Sequence, residues 1–149
     1  MKLAFGCDPN AADLKLILMK KAEELGHEVK DYGSDDPIYA NTAFDVAKAV
    51  AAGECERGIL VCGTGIGVSI AANKVKGAYC ACIHDVYQAE RAVLSNNANL
   101  ISMGSQVIGP KLAEKLLEEY LKYTYDPNSR SGDKVNRICS FEAGDEAAI

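Results

Sequence analysis

The run Gly58-Ile59-Leu60-Val61-Cys62-Gly63-Thr64-Gly65-Ile66-Gly67-Val68-Ser69 joins an apolar segment to a thiol, and the thiol to a loop with glycine at alternate positions. A thiolate is a base and a nucleophile, so Cys62 is the first candidate for chemistry. Gly63, Gly65 and Gly67 let the backbone approach a ligand closely and aim N–H groups at an anion. The helical segment that follows adds the positive end of its dipole, a field that favours thiolate over thiol. Thiol and loop together read as a base beside an oxyanion hole. A carbon acid gives up its proton only if charge on the neighbouring oxygen is stabilised, and one preorganised donor is worth about 3–4 kcal/mol in the transition state. Thr64 adds a hydroxyl that can orient the thiol or bind a sugar hydroxyl.

Such a site needs strands that end together. Lys2 to Cys7 reads as a strand, and Asn10 to Leu25 has helical spacing with Gly26 as its C-terminal cap. Glu28 to Tyr32 and the run ending at Cys62 predict the second and third strands, with a helix over Thr42 to Ala52 between them. Further helices are predicted over Ile66 to Lys74, after Asp85, over Pro110 to Tyr123 and over Asp133 to Phe141. Ala78 to Ile83 and Asn99 to Met103 predict the last two strands. Strands alternating with helices imply a parallel sheet of about five strands covered on both faces, a doubly wound sandwich. Its strand C-terminal ends would gather Cys7-Asp8, Cys62 with the glycine loop, His84-Asp85 and the loop after Met103 on one edge.

The rest of the composition narrows the class. With 149 residues the chain holds one ordinary domain, expected over 1–141, with an acidic, Ala-rich tail over 142–149. A formal net charge of −5 argues against nucleic acid as partner. No apolar run approaches the ~20 residues of a membrane span, so no membrane partner is expected. Six cysteines without a CxxC pair, and only two histidines, argue against structural zinc or a secreted disulfide framework. A reducing cytoplasm is the expected compartment. The glycines also fail the dinucleotide fingerprint, because Val68 stands where its third glycine belongs.

Cys62-Gly-Thr-Gly-Ile-Gly-Val-Ser-Ile-Ala-Ala-Asn-Lys74 resembles the signature of the type B ribose-5-phosphate isomerases, whose superfamily includes the galactose-6-phosphate isomerase subunits. Gly6-Cys7-Asp8, Ser95-Asn96-Asn97-Ala98-Asn99 and Met103 to Gly109 extend the resemblance to about Phe141. It implies a Rossmann-like three-layer α/β/α sandwich with a five-stranded parallel sheet. It further implies a homodimer or homotetramer with active sites shared between subunits, acting on a sugar phosphate without metal or organic cofactor. The residue matching Cys62 removes a proton next to the carbonyl, and Gly63, Thr64, Gly65, Ile66 and Gly67 cradle the resulting enediolate. Asp8, followed by Pro9, matches an acid that contacts sugar hydroxyls and shuttles a proton between them. Asn96 matches a contact from the partner subunit. Arg130 and Lys134 match a pair of phosphate-binding cations, with Arg137 in reserve.

Three departures from the pattern bear on the substrate. Pro9 replaces a histidine, Ser95 replaces the histidine that opens the sugar ring, and Gln106 replaces an arginine. Serine has no useful acidity near neutral pH for opening a ring. Either His84 takes over that catalytic task, imidazole being suited to proton shuttling near neutrality, or the substrate has no ring to open. A tetrose 4-phosphate, its terminal hydroxyl esterified, cannot form the ordinary furanose. Ribose 5-phosphate/ribulose 5-phosphate and erythrulose 4-phosphate/erythrose 4-phosphate therefore stand nearly level, the pentose slightly ahead on base rate. A non-catalytic sugar-phosphate-binding subunit is the remaining alternative, against which the intact Cys62, Asp8 and glycine loop argue.

Overall fold

A computed structural model describes residues 1–147; the last two residues of the expected tail lie outside the described part. Its five strands are β1 (Lys2–Cys7), β2 (Glu28–Asp31), β3 (Arg57–Cys62), β4 (Cys80–Cys82) and β5 (Leu100–Gly104). All pair in parallel, in the order β2-β1-β3-β5-β4. The helices are α1 (Ala12–Glu24), α2 (Tyr39–Ala51), α3 (Ile66–Ala72), α4 (Val86–Leu94), α5 (Pro110–Lys122) and α6 (Gly132–Glu142). The chain therefore has the expected Rossmann-like α/β/α architecture.

Alternation along the strands divides the core in two. Leu3, Phe5, Ile59, Val61, Ile101 and Met103 face α1, α4 and α5, while Ala4, Leu60, Cys62 and Leu100 face α2 and α3. β1 leads through α1 on one face and β3 is entered through α2 on the other. The gap between the C-terminal ends of β1 and β3 is thus the switch point where open α/β sheets bind ligands.

Several boundaries differ from the sequence reading. The segment after Asp8 starts as a 3₁₀ turn, Pro9–Ala11, before α1. β4 is three residues instead of six and lies at the sheet edge. There the Asn73 amide bonds both the N–H and the C=O of Cys80, satisfying backbone groups that have no further strand to pair with. α2 starts at Tyr39, three residues early, because Asp36 bonds Ile38 N and Asn41 Nδ2 and so shapes the helix entry. α6 runs one residue past the expected boundary, and Glu142 is no frayed tail: its carboxylate accepts from Gly77 N at 3.1 Å and from the Tyr79 hydroxyl. On α5, Leu116 and Leu117 are buried as a core face requires, whereas Leu112 is exposed. No helix among the described residues is long and apolar enough to cross a membrane.

Candidate active site

Register places the candidate residues first. Cys7 pairs with Val61, so Asp8 continues β1 directly beside Cys62, and Asp8 N donates to Val61 O at 3.0 Å. Cys62 pairs with Gly104 on its other side. The Asp8 carboxylate accepts from Asn10 N at 2.8 Å through Oδ1 alone, capping the Pro9 turn and leaving Oδ2 for a ligand. Capping and substrate contact are therefore compatible at this residue.

The thiol of Cys62 is 95% buried, being only 5% exposed, and accepts a hydrogen bond from Gly65 N at 3.1 Å. Gly65 achieves this bond with φ +79°, a left-handed conformation that disfavours side chains. A Cβ there would also lie 2.8 Å from the Met103 carbonyl carbon. Ser102, fully buried, donates from Oγ to Gly65 O at 2.7 Å and locks the loop from below. Thr64 Oγ1 accepts from Ile66 N at 3.2 Å, so its hydroxyl hydrogen remains free to point at a ligand. α3 has only seven residues, and the anion-facing donors are the loop N–H groups more than a long helix dipole.

Cys7, the rival thiol at this edge, is no base at neutral pH. Burial pushes it up to about 11, although Lys15 pulls the other way. Lys15 is itself buried on α1, its Nζ 2.7 Å from Asp31 Oδ1 at the end of β2. Asp31 also accepts from Gly33 N, and Gly33 O accepts from Cys7 N, so the ion pair braces the strand end that carries Asp8.

His84 does reach the edge, but its Nε2 accepts from Gly104 N at 2.9 Å. It is pinned to the residue paired with Cys62. Asn96, Arg130 and Lys134 do not join Cys62 in one chain. α4 returns to the strand N-terminal ends, where Asn99 accepts from Gly58 N and Tyr79 N at the starts of β3 and β4. Asn96 sits in that region, and Arg130 lines a cleft with Arg91 and Leu94 at the end of α4. The six residues of β3 separate the two edges by roughly 20 Å at about 3.3 Å per residue. Ser95 accepts from Arg91 Nε at 2.7 Å. Arg137 is spent on Asp145 O and the Phe141 ring.

Sequence reasoning overlooked Ser102, whose signal was a lone hydroxyl within the apolar run Leu100-Ile101-Ser102-Met103: a buried polar group must find a partner. It also overlooked Tyr39, which precedes the helix expected from Thr42 and whose phenol lies over Gly67.

Comparison with known proteins agrees with this geometry. The family model for Ribose/Galactose Isomerase matches residues 3–138. D-erythrulose-4-phosphate isomerase 2 of Mycolicibacterium smegmatis is 44% identical, over 95% of this chain and 97% of its own. Ribose-5-P isomerase B of Listeria innocua is also 44% identical, over 91% and 93%. The solved Clostridium thermocellum Ribose-5-Phosphate Isomerase B superposes with a TM-score of 0.90 at 35% identity, over 96% of this chain and 98% of that one. A thiol held in a glycine loop at the switch point, on a sheet shared throughout its length with solved isomerases, makes this chain a member of the Ribose/Galactose Isomerase family and a sugar-phosphate isomerase.

Proposed function

We propose that the chain interconverts erythrulose 4-phosphate and erythrose 4-phosphate through an enediolate, with Cys62 as base. The observation that carries the chemistry is the 3.1 Å bond from Gly65 N to Cys62 Sγ, which holds the sulfur against the glycine loop. The thiolate takes a proton from C1 of the ketose. The C–H electron pair forms the C1–C2 double bond, and the C2 carbonyl pair moves onto its oxygen, facing the loop N–H groups. Asp8 passes the O1 proton to O2, and the protonated thiol returns its proton to C2, leaving the aldehyde at C1.

The choice of a four-carbon substrate rests on the missing ring opener. His84 Nε2 is engaged by Gly104 N, and Ser95 cannot act as an acid or base near neutrality. An acyclic substrate needs neither. Ribose 5-phosphate is the second reading, favoured by His84 standing at the catalytic edge with its Nδ1 lacking a partner among the described residues.

The phosphate cations come from a second copy of the chain in this reading. Asn96, Arg130 and Lys134 lie beyond reach of Cys62 in their own subunit. Ile66 and Ile70, one turn apart on α3 beside the site, are 55% and 58% exposed, which supports an apolar contact there. Initial rates on four- to six-carbon sugar phosphates test the assignment. In the aldose direction, erythrose 4-phosphate should exceed ribose 5-phosphate in kcat/KM by about tenfold or more. The reverse order would establish the pentose, and no turnover on any member of the panel would overturn the isomerase mechanism.

A further inference from the structure

Arg91 is the only basic side chain of α4 and stands in its last turn. Two segments distant in sequence meet there. Arg91 and Leu94 of α4, with Asp126, Ser129, Arg130 and Ser131 of the connection between α5 and α6, line a cleft of about 270 Å³. Lys134 is exposed on the first turn of α6 and is not part of this lining.

The guanidinium of Arg91 is anchored on one side only. Its Nε donates to Ser95 Oγ at 2.7 Å, one helical turn further on. That bond leaves both Nη groups without a hydrogen-bond acceptor among the described residues, the Glu90 carboxylate standing off at 3.6 Å from Nη1. Arg130 enters no ion pair among the described residues. Asp126, the one carboxylate in the lining, has its Oδ1 engaged by Asn128 N at 2.9 Å. Ser129 Oγ accepts from Ser131 N at 3.3 Å, which leaves its hydroxyl hydrogen for another acceptor. Two guanidinium forks with open N–H groups, beside a serine hydroxyl, match a phosphate dianion, whose oxygens accept several charge-assisted hydrogen bonds. The dipole of α4 would be served by Arg91 in any extended rotamer, whereas the Ser95 bond selects the one that lines the cleft.

We propose that Arg91 is a phosphate-binding residue of this isomerase, gripping the phosphoryl group of the sugar together with Arg130, and that Ser95 is the positioning residue that holds Arg91 in place. This rests on the reading in which a second copy of the chain supplies the phosphate cations, because the cleft lies at the opposite sheet edge from Cys62 of the same subunit. Residue 95 then has a task that needs an acceptor oxygen and no acidity, which serine meets.

The test titrates inorganic phosphate into wild type, Arg91→Leu, Arg91→Lys and Ser95→Ala, followed by phosphorus NMR, and assays the same proteins on erythrulose 4-phosphate. Arg91→Leu should weaken phosphate about tenfold or more. Arg91→Lys, which keeps the charge but not the fork, should weaken it about threefold and carries the test should the leucine variant fail to fold. Ser95→Ala should fall between wild type and Arg91→Leu. KM for erythrulose 4-phosphate should rise in the same order, by a larger factor than kcat falls. Unaltered phosphate affinity in the Arg91 variants, or a fall in kcat at constant KM, would overturn the assignment. Because phosphate binding is read apart from turnover, a wild type that binds phosphate through Arg91 yet turns over no sugar would count against the isomerase mechanism alone.

Discussion

At the scale of single residues, the proposed base and its proposed anion hole were legible because they are contiguous: Cys62 through Gly67 would carry both. Asp8 was legible because strand ends in a parallel sheet converge. His84 was only half legible, since its place at the edge follows from the strand order but its bond to Gly104 N depends on where β5 ends. The chemistry makes a direct prediction. In deuterium oxide, wild-type enzyme should introduce deuterium at C2 of the aldose formed from the ketose, as proton NMR would detect. Cys62→Ala should lose both exchange and turnover by about a thousandfold or more, general-base catalysis contributing roughly 10²–10⁴-fold. Exchange persisting above a tenth of the wild-type rate would identify another base. His84→Gln tests the pinning role on an acyclic substrate. Its amide can still accept from Gly104 N, so it should retain most activity on erythrulose 4-phosphate, while a ring-opening role would show as selective loss on ribose 5-phosphate.

At the scale of elements, alternation of apolar runs with helical spacing revealed every strand and every α-helix, but not what fixes the loop between β3 and α3. That loop is held by contacts across the sheet. Ser102 reaches up from β5 to Gly65 O, and Gly104 packs so tightly that a Cβ there would meet the Thr64 carbonyl carbon at 2.6 Å. Periodicity reports which face a residue takes and nothing about such approaches. The same limit hid Tyr39, because the start of α2 is set by Asp36 side-chain bonds outside the helical repeat. Ser102→Ala should leave the buried Gly65 carbonyl without its donor and cost about 1–3 kcal/mol in urea unfolding. Activity should fall as well, since Gly65 N is the group that holds the Cys62 sulfur. Full activity with unchanged stability would show that the loop holds its shape without this bond.

At the scale of the whole molecule, the buried thiol of Cys7 and the half-buried thiol of Cys80 set an alkaline limit on stability. Burial pushes Cys7 up to about 11 and Cys80 up to about 12, from an ordinary value near 9. Above pH 9 the unfolded chain releases protons that the folded chain keeps, so the folded state binds more protons and stability falls as pH rises. The urea midpoint should therefore decline between pH 9 and about 11, less steeply in Cys7→Ala. A flat profile over that window would contradict the protonated state of these thiols. Fold class was legible at this scale because the pattern repeats along the chain. The separation of Asn96 from Cys62 was expected only through family resemblance, and that of Arg130 was not legible at all, because nothing local in the sequence marks which sheet edge a loop residue reaches. One mixing experiment joins the base to that division of labour. Cys62→Ala and Arg130→Ala, each purified inactive, are unfolded together, refolded at equal amounts and assayed for isomerisation. Random pairing into two-site dimers should restore about one quarter of wild-type activity, since half the dimers then carry one intact site of two. No recovery from a correctly refolded mixture would contradict a Cys62 site completed by the partner's cations.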